Sequence, residues 1–436
     1  MNTVYKYLYF LILAFLALPV VKLGSARVEQ LLVLGTFAIL FLDDLIHKEI
    51  DFNILFFLII SALLITLISM NSTWPKADEM NYYIKFLVLY PVSFYVGARA
   101  LSKLGVETII KVFDYTLWFY FISWFIVMYV PLPMSVLHKI VHLREFGWGA
   151  EFLPIQGTFY EAGALGIIVG TVLTFAVLAR VELNIWPKKK YYSYTLYVLV
   201  LYMIVMSKNK TVWLAWVLMI FFMVFYKVYL ILTRTNYYYT PSKLKEDKIL
   251  FRFLKLNGTL LLGSAIVLII VFFAYNSVAE HPFITMEEFQ YKMEHERGAQ
   301  FAVSWDLIVK SNFFGGYGFG FVQEYFKDLG IMGVGGDSGG SINSVFLDMW
   351  LQGSIIGVIY LLGVHIIAFS NRTYLTMAIP LYLFFFGLTN PIVAEEFYLF
   401  LGLSYGLAKM VRNDEVFHAI VEGKLHETKL VSGVSA

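Results

Sequence analysis

The chain contains no cysteine, which removes disulfide frameworks, thiolate metal sites and cysteine nucleophiles at once. Charge is scarce as well. Of its 436 residues 15% are Asp, Glu, Lys or Arg, against about 25% in soluble domains. The formal net charge of +2 gives no footing for a nucleic-acid partner. No internal repeat, low-complexity linker or second soluble domain interrupts the sequence. Apolar residues are what it has: 59% hydrophobic and 18% aromatic, with a mean hydropathy of +0.72. That composition predicts an all-α, polytopic integral membrane protein.

A membrane-crossing helix needs about 20 apolar residues. Segments of that kind fall at 5–21, 29–42, 52–70, 82–98, 112–133 and 159–180, then at 193–207, 211–233, 256–275, 342–366, 373–389 and 397–410. The expected count is therefore about twelve, within a range of roughly 10–14 because several are short. The first run, Tyr5 to Val21, lacks a small-residue cleavage site and reads as a retained helix. Lys and Arg gather in alternate connections, around Arg99, Lys103 and Lys111, Arg180 and Lys188 to Lys190, Arg234 to Lys255, Arg372, and Lys409 with Arg412. The positive-inside rule then puts both termini in the cytoplasm. Residues 1–436 form one membrane domain, with a large helical loop at 276–341 on the outer side and a cytoplasmic tail at 411–436.

A charge inside a bilayer costs about 3 kcal/mol on insertion scales, so the placement of charges is informative. Lys85, Glu161, Lys208, Lys210 and Asp348 all fall at or near outer helix ends, with Asp348 about two turns into the tenth span. Ion-coupled transporters gather such groups near the midplane instead. The outer placement suits a substrate anchored in lipid with its headgroup at the surface. Simpler readings apply elsewhere: Lys85 and Lys227 can snorkel, Asp114 is a helix-end charge, and Asp43, Asp44, His47, Lys48 and Glu49 form a solvated connection. His138 and His142 lack a third metal ligand, and Tyr237 to Tyr239 read as an interfacial belt.

The outer loop carries helical periodicity from Glu287 to Lys310. Phe289, Met293, Phe301, Trp305 and Ile308 define one face, and Arg297 falls on it. A guanidinium never loses its charge, so it needs either a neighbouring glutamate or an anionic ligand. Gly315-Gly-Tyr-Gly-Phe-Gly320 follows, without the spacing of a dinucleotide fingerprint. It reads as a tight turn where backbone approaches something closely, Gly316 and Gly318 included. A second glycine cluster, Gly330 to Gly340 with Asp337, reads as a mobile lid-like loop.

Three patches resemble the bacterial O-antigen polymerase and ligase superfamily. Gly157-Thr-Phe-Tyr160-Glu161-Ala-Gly163-Ala-Leu-Gly166 is similar to its Gly-x-Phe-x-Glu-Pro helix start. Ser207-Lys208-Asn-Lys210-Thr211 resembles its external Ser-x-x-Arg-Thr turn, with lysine for arginine. Arg297, then Trp305, then Gly-Tyr-Gly-Phe-Gly resembles its large-loop signature. The resemblance covers residues 145–355. Departures are Ala162 for a proline and Ile342-Asn343 where ligases carry His-Asn, which favours a polymerase over a ligase.

The resemblance implies a lipid-linked glycan glycosyltransferase of the bacterial inner membrane, joining undecaprenyl-diphosphate-linked repeat units for O-antigen or capsule without cofactor or metal. The implied catalytic residues are Arg297, Glu161 and Lys210, with substrate contacts from Lys208, Tyr160, Gly316, Gly318, Asp337, Asp348 and Asn343. The lipid-linked oligosaccharide, the bilayer and a chain-length regulator are the implied partners. Two alternatives stay open: an O-antigen ligase acting on lipid A core, and a lipid-linked oligosaccharide flippase.

Overall fold

The computed structural model describes residues 2–19, 21–23, 26–70, 83–131, 133, 158–159, 162–182, 185–187, 190–207, 209–232, 297–328, 344–370, 373–389 and 395–412. The expected span at 256–275, the histidines 138 and 142, Tyr237 to Tyr239, the Lys227 side chain, Gly330 to Gly340 and the tail beyond 412 lie outside them.

The described chain is helical almost throughout. Helix α1 (Asn2–Leu16) leads into a small antiparallel hairpin, β1 (Lys22–Leu23) and β2 (Ala26–Arg27). Then come α2 (Val28–His47), α3 (Phe52–Met70), a π-helical turn at Lys85–Leu89 running into α4 (Tyr90–Leu104), and α5 (Val106–Tyr129). The second half supplies α6 (Ala162–Glu182), α7 (Lys190–Met206), α8 (Lys210–Leu232), α9 (Arg297–Lys310), α10 (Phe321–Asp328), α11 (Val345–Ala368), α12 (Tyr374–Thr389) and α13 (Glu395–Arg412).

Among the described residues five helices have the length and composition to cross a membrane: α2, α3, α5, α6 and, counted across its break, α11. Their outward faces are apolar too. On α3, Phe56, Ile59, Leu63 and Leu67 are exposed while Ser61 is buried, the inverse of a water-facing helix. Helix α6 is mostly buried, packed against α5, α7, α8, α12 and α13. The tightest contact joins α4 to α13. A Cβ at Gly97 would collide with the backbone of Leu399 and Leu403, one at Gly402 with that of Phe94, and one at Gly406 with that of Ala98. Small residues four apart let two membrane helices touch backbone to backbone.

Helix α11 departs from the expected single span at 342–366. Ser354 has φ 58° and ψ −162°, which no helix contains. Phe346 and His365 would stand about 28 Å apart on a straight helix, yet their ring centroids are 6.0 Å apart. A Cβ on Gly357 would run into the carbonyl of Met349. The element is therefore a helical hairpin, with one arm before Ser354 and one after it. Neither arm alone reaches the length of a span. Sequence hydropathy sees an unbroken apolar run and cannot register one residue in the left-handed region.

Charge is layered. Glu29 and Asp44 sit at opposite ends of α2, 15 residues and about 22 Å apart. The Asp44 end corrects the expectation of a solvated connection. Asp44 is fully buried, accepting from Tyr95 Oη at 2.5 Å and Arg99 Nη2 at 2.5 Å, with Lys103 Nζ at 2.8 Å. Lys103 also reaches Asp43 and Glu49, and Lys409 reaches Asp51. The last turn of α2 faces the basic end of α4, so these charges neutralise each other inside the bundle. His47, Lys48 and Glu49 remain exposed, and Lys409 is half exposed. Asp114 likewise is no simple helix-end charge: it pairs with Arg180 and Tyr197.

Arg99→Ala removes one of two cations from a carboxylate with no water. Breaking a buried pair costs 3–5 kcal/mol, and about 3 is expected here because Lys103 remains. Thermal unfolding of the detergent-solubilised protein should show that loss, and Arg99→Lys should restore part of it.

Candidate functional site

At the Glu29 end of the bundle the N-termini of α2 and α13 converge. Arg27 caps α2, its backbone N–H donating to Gln30 Oε1 at 3.3 Å. Its guanidinium donates from Nη2 to Glu395 Oε2 at 2.8 Å, and Gln30 Nε2 donates to the other Glu395 oxygen. Arg27 Nε also lies 2.8 Å from Glu29 Oε1, but the N–H is not aimed at that oxygen. Among the described residues both Glu29 side-chain oxygens thus lack a hydrogen-bond donor. Glu29, Glu395 and Glu396 are all buried, at 1%, 2% and 5% exposure. Carboxylates belong at helix N-termini, where the backbone dipole is positive.

Three carboxylates meet two cations here. Lys85 is half-buried and within electrostatic reach of Glu395 and Arg27, rather than simply snorkelling to the interface. It opens the π turn of Lys85–Leu89, a widening that accommodates Pro91, whose missing N–H cannot join the helical ladder. Such π segments recur at functional sites. Glu396 has no ion-pair partner in contact among the described residues; Glu395, Arg27 and Glu29 act on it electrostatically, and Tyr120 lies within electrostatic reach of it. Tyr120 packs edge-on against Phe159, centroids 5.2 Å apart.

Phe159 belongs to the Gly157–Gly166 patch. The far end of that patch meets the second one, since a Cβ on Gly166 would strike the side chains of Asn209 and Val212. Asn209 in turn caps α8, accepting from Val212 N–H at 3.3 Å. Two of the three sequence patches are therefore neighbours.

The third patch docks on the α11 hairpin. The break at Ser354 frees two carbonyls, and the glycine run takes both. Tyr317 N–H donates to Leu351 O at 2.8 Å and Gly318 N–H to Gln352 O at 2.9 Å. Gly316 passes so close that a Cβ would lie 2.8 Å from Gln352 O, and Gly318 and Gly320 hold φ of 97° and 86°. These glycines fit the expected close approach of backbone, to another part of this chain. Gln352 completes the joint: its Oε1 accepts from Gly320 N–H at 3.1 Å and its Nε2 donates to Asp348 Oδ1 at 2.8 Å.

Asp348 is thus corrected from a residue two turns down a span to one on the first arm of a hairpin, buried and orienting Gln352. A ring chain ties this joint to the carboxylates. Phe319 stacks on Phe86 at 4.8 Å, Phe86 meets Tyr90 at 4.8 Å, and Tyr90 stacks on Tyr398 at 4.9 Å. Phe86 adjoins Lys85, and Tyr398 is two residues past Glu396.

Of the residues expected from sequence, the structure describes Gly316, Gly318 and Asp348 in full. Arg297 and Lys210 are described only as the first residues of α9 and α8. Glu161, Tyr160, Lys208, Asp337 and Asn343 lie outside the described residues. The apolar face expected for α9 divides in the structure. Gln300, Ser304, Leu307 and Ile308 are buried, whereas Phe301 and Trp305 are 55% and 45% exposed. Sequence reading missed Arg27, Glu29, Gln30, Lys85's neighbours Glu395 and Glu396, and Gln352. The adjacent glutamates just before an apolar run were the available signal.

No protein-family model and no curated protein matches this chain.

Proposed function

We propose that this membrane protein polymerises polysaccharide at the outer face of a bacterial cytoplasmic membrane, joining undecaprenyl-diphosphate-linked oligosaccharide repeat units for O-antigen or capsule. In this reading about twelve helices cross the bilayer, both termini are cytoplasmic, and residues 276–341 form the outer loop. The observation that carries it is the buried Arg27–Glu29–Glu395–Glu396 layer with Lys85 beside it. Two links support it: Phe86, beside Lys85, stacks on Phe319 of the glycine run, and Tyr120, within electrostatic reach of Glu396, packs on Phe159 of the first patch.

The reaction needs two things from the chain. An acceptor hydroxyl attacks the anomeric carbon of the donor glycan; the new C–O bond forms as the bond to the diphosphate breaks. The lipid diphosphate leaves with the electron pair, and the hydroxyl proton passes to a carboxylate. Fixed cations stabilise the leaving diphosphate; Arg297, Lys210 and Lys208 take that role. Glu396, with no cation bound among the described residues, and Glu161 are the carboxylates for the proton. Arg27 is held by Glu395 and Glu29, so it serves as a scaffold. Asp348 and Gln352 position the glycine run; Tyr160, Asp337 and Asn343 contact sugar. A chain-length regulator is the expected protein partner.

A second reading, a lipid-linked oligosaccharide transporter, draws support from the broken α11 with buried Asp348 and His365, because broken helices with buried polar groups recur in transporters. One deletion experiment separates the readings. Loss of a polymerase leaves surface glycan capped with a single repeat unit. Loss of a transporter traps unpolymerised units on the inner leaflet, and loss of a ligase leaves bare acceptor with polymer still on its lipid carrier. Either of the last two patterns on a polysaccharide gel would sink the polymerase reading.

A further inference from the structure

Helix α9 has two faces. Gln300, Ser304, Leu307 and Ile308 are buried against the first arm of the α11 hairpin, in a satellite core with Phe321, Val322, Phe326 and Leu351. The other face carries an aromatic ladder. Phe301 and Trp305 lie nearly parallel at 6.4 Å, Trp305 meets Phe313 edge-on at 5.9 Å, and Phe313 meets Trp350 at 6.2 Å. Trp350 Nε1–H donates to Phe313 O at 3.1 Å, which locks the ladder to the hairpin.

The ladder faces outward. Phe301, Trp305, Phe313 and Phe314 are 55%, 45%, 38% and 77% exposed. At roughly 200 Å² a side chain that is about 400 Å² of ring surface, as large as the biggest apolar patch of an ordinary soluble protein. Asn312 and Phe313 both hold positive φ, 52° and 64°, an unfavourable backbone for a phenylalanine. The patch is also continuous with the lipid-facing surface: the hairpin turn at Gly353 rests on Ile68 of α3. Near it Leu67 and Met70 are 47% and 77% exposed. Further round α9, Asp306 and Lys310 form an exposed ion pair at 2.6 Å.

We infer that this ladder is an interfacial anchor, inserted into the headgroup boundary of the same bilayer that holds the bundle. Tryptophan, an apolar ring with a polar N–H, settles at that depth, and a helix with Trp and Phe on its apolar face lies in the plane of the interface. The anchor fixes α9 flat, and through Phe313 and Trp350 it steadies the hairpin on which the glycine run docks. The inference is independent of the reaction proposed above.

The natural absence of cysteine allows single-site labelling without background substitutions. Phe301→Cys, Trp305→Cys, Phe314→Cys and Asp306→Cys would each carry a nitroxide in protein reconstituted into phosphatidylethanolamine–phosphatidylglycerol vesicles. Phe221→Cys, on the exposed face of α8, gives the lipid reference and shows that the bundle is folded. At 301, 305 and 314 oxygen should relax the label more than a water-soluble nickel chelate, as at 221; at 306 the order should reverse. Chelate dominance at the three ring positions would overturn the anchor, because the face is then in water. Exclusion of both relaxants there would overturn it too, because protein then covers the face; dipolar broadening would identify that cover as a second copy.

Discussion

Glu396→Gln should abolish long-chain glycan while the protein accumulates normally in the membrane. The two halves of that expectation have different causes. Glu396 is 5% exposed and makes no ion pair among the described residues, so neutralising it breaks no charge partnership and relieves a desolvated negative charge. Its amide retains nearly the same shape. What it removes is the capacity to take a proton from the acceptor hydroxyl, which is worth about 10²–10⁴-fold in rate for a positioned general base. Glu395→Gln is the control. It strips the charge from the partner of Arg27 Nη2 and Gln30 Nε2, in a buried layer where that pairing holds α2 to α13, so abundance should fall along with activity. Glycan length on a gel and membrane abundance by immunoblot, measured for both variants, separate chemistry from scaffold. Full-length polymer from Glu396→Gln would remove this residue from the mechanism, leaving Glu161 as the remaining carboxylate.

The contrast between those two neighbours shows where sequence reading succeeds and where it stops. Apolar runs predicted helices because a lipid-facing helix advertises itself in composition alone; α3, with apolar residues on every side, could be read no other way. The glycine run was legible as a close approach, since only glycine tolerates a neighbour at 2.8 Å from where a Cβ would sit. What it approaches was not legible. The two carbonyls it binds exist only because α11 breaks at Ser354, in an apolar run that hydropathy joins into one span. Arg27 and Glu395 are 368 residues apart in sequence, so no local pattern pairs them. The same limit explains Asp44, which looks solvated beside Asp43 and Glu49 until α4 brings Arg99 across. On α9 the periodicity was real but its orientation was ambiguous. Phe301, Trp305 and Ile308 were read as one apolar face, but Ile308 packs inward with small Ser304 and polar Gln300 whereas the two rings face out.

Arg297→Ala should eliminate long chains, and Arg297→Lys should recover little of them. Arg297 is the first residue of α9, and the register places position 297 in line with Ser304 and Ile308, seven and eleven residues on. Those two positions are buried while Phe301, four residues on, is exposed, so position 297 falls at the boundary between the inward face and the aromatic ladder. A guanidinium carries a planar fork able to bind a diphosphate through two oxygens. Losing one preorganised donor of this kind costs about 2.7–4 kcal/mol of transition-state stabilisation, a rate factor of roughly 10²–10³. Lysine keeps the charge but supplies a point rather than a fork, which is why the conservative change should fail. A purely structural arginine predicts the opposite pair of results. Arg297→Ala would then lower membrane abundance, and Arg297→Lys, preserving a salt bridge, would polymerise almost normally. Chain length and abundance for both variants therefore decide the matter, and full-length polymer from Arg297→Lys would remove the diphosphate role from this residue.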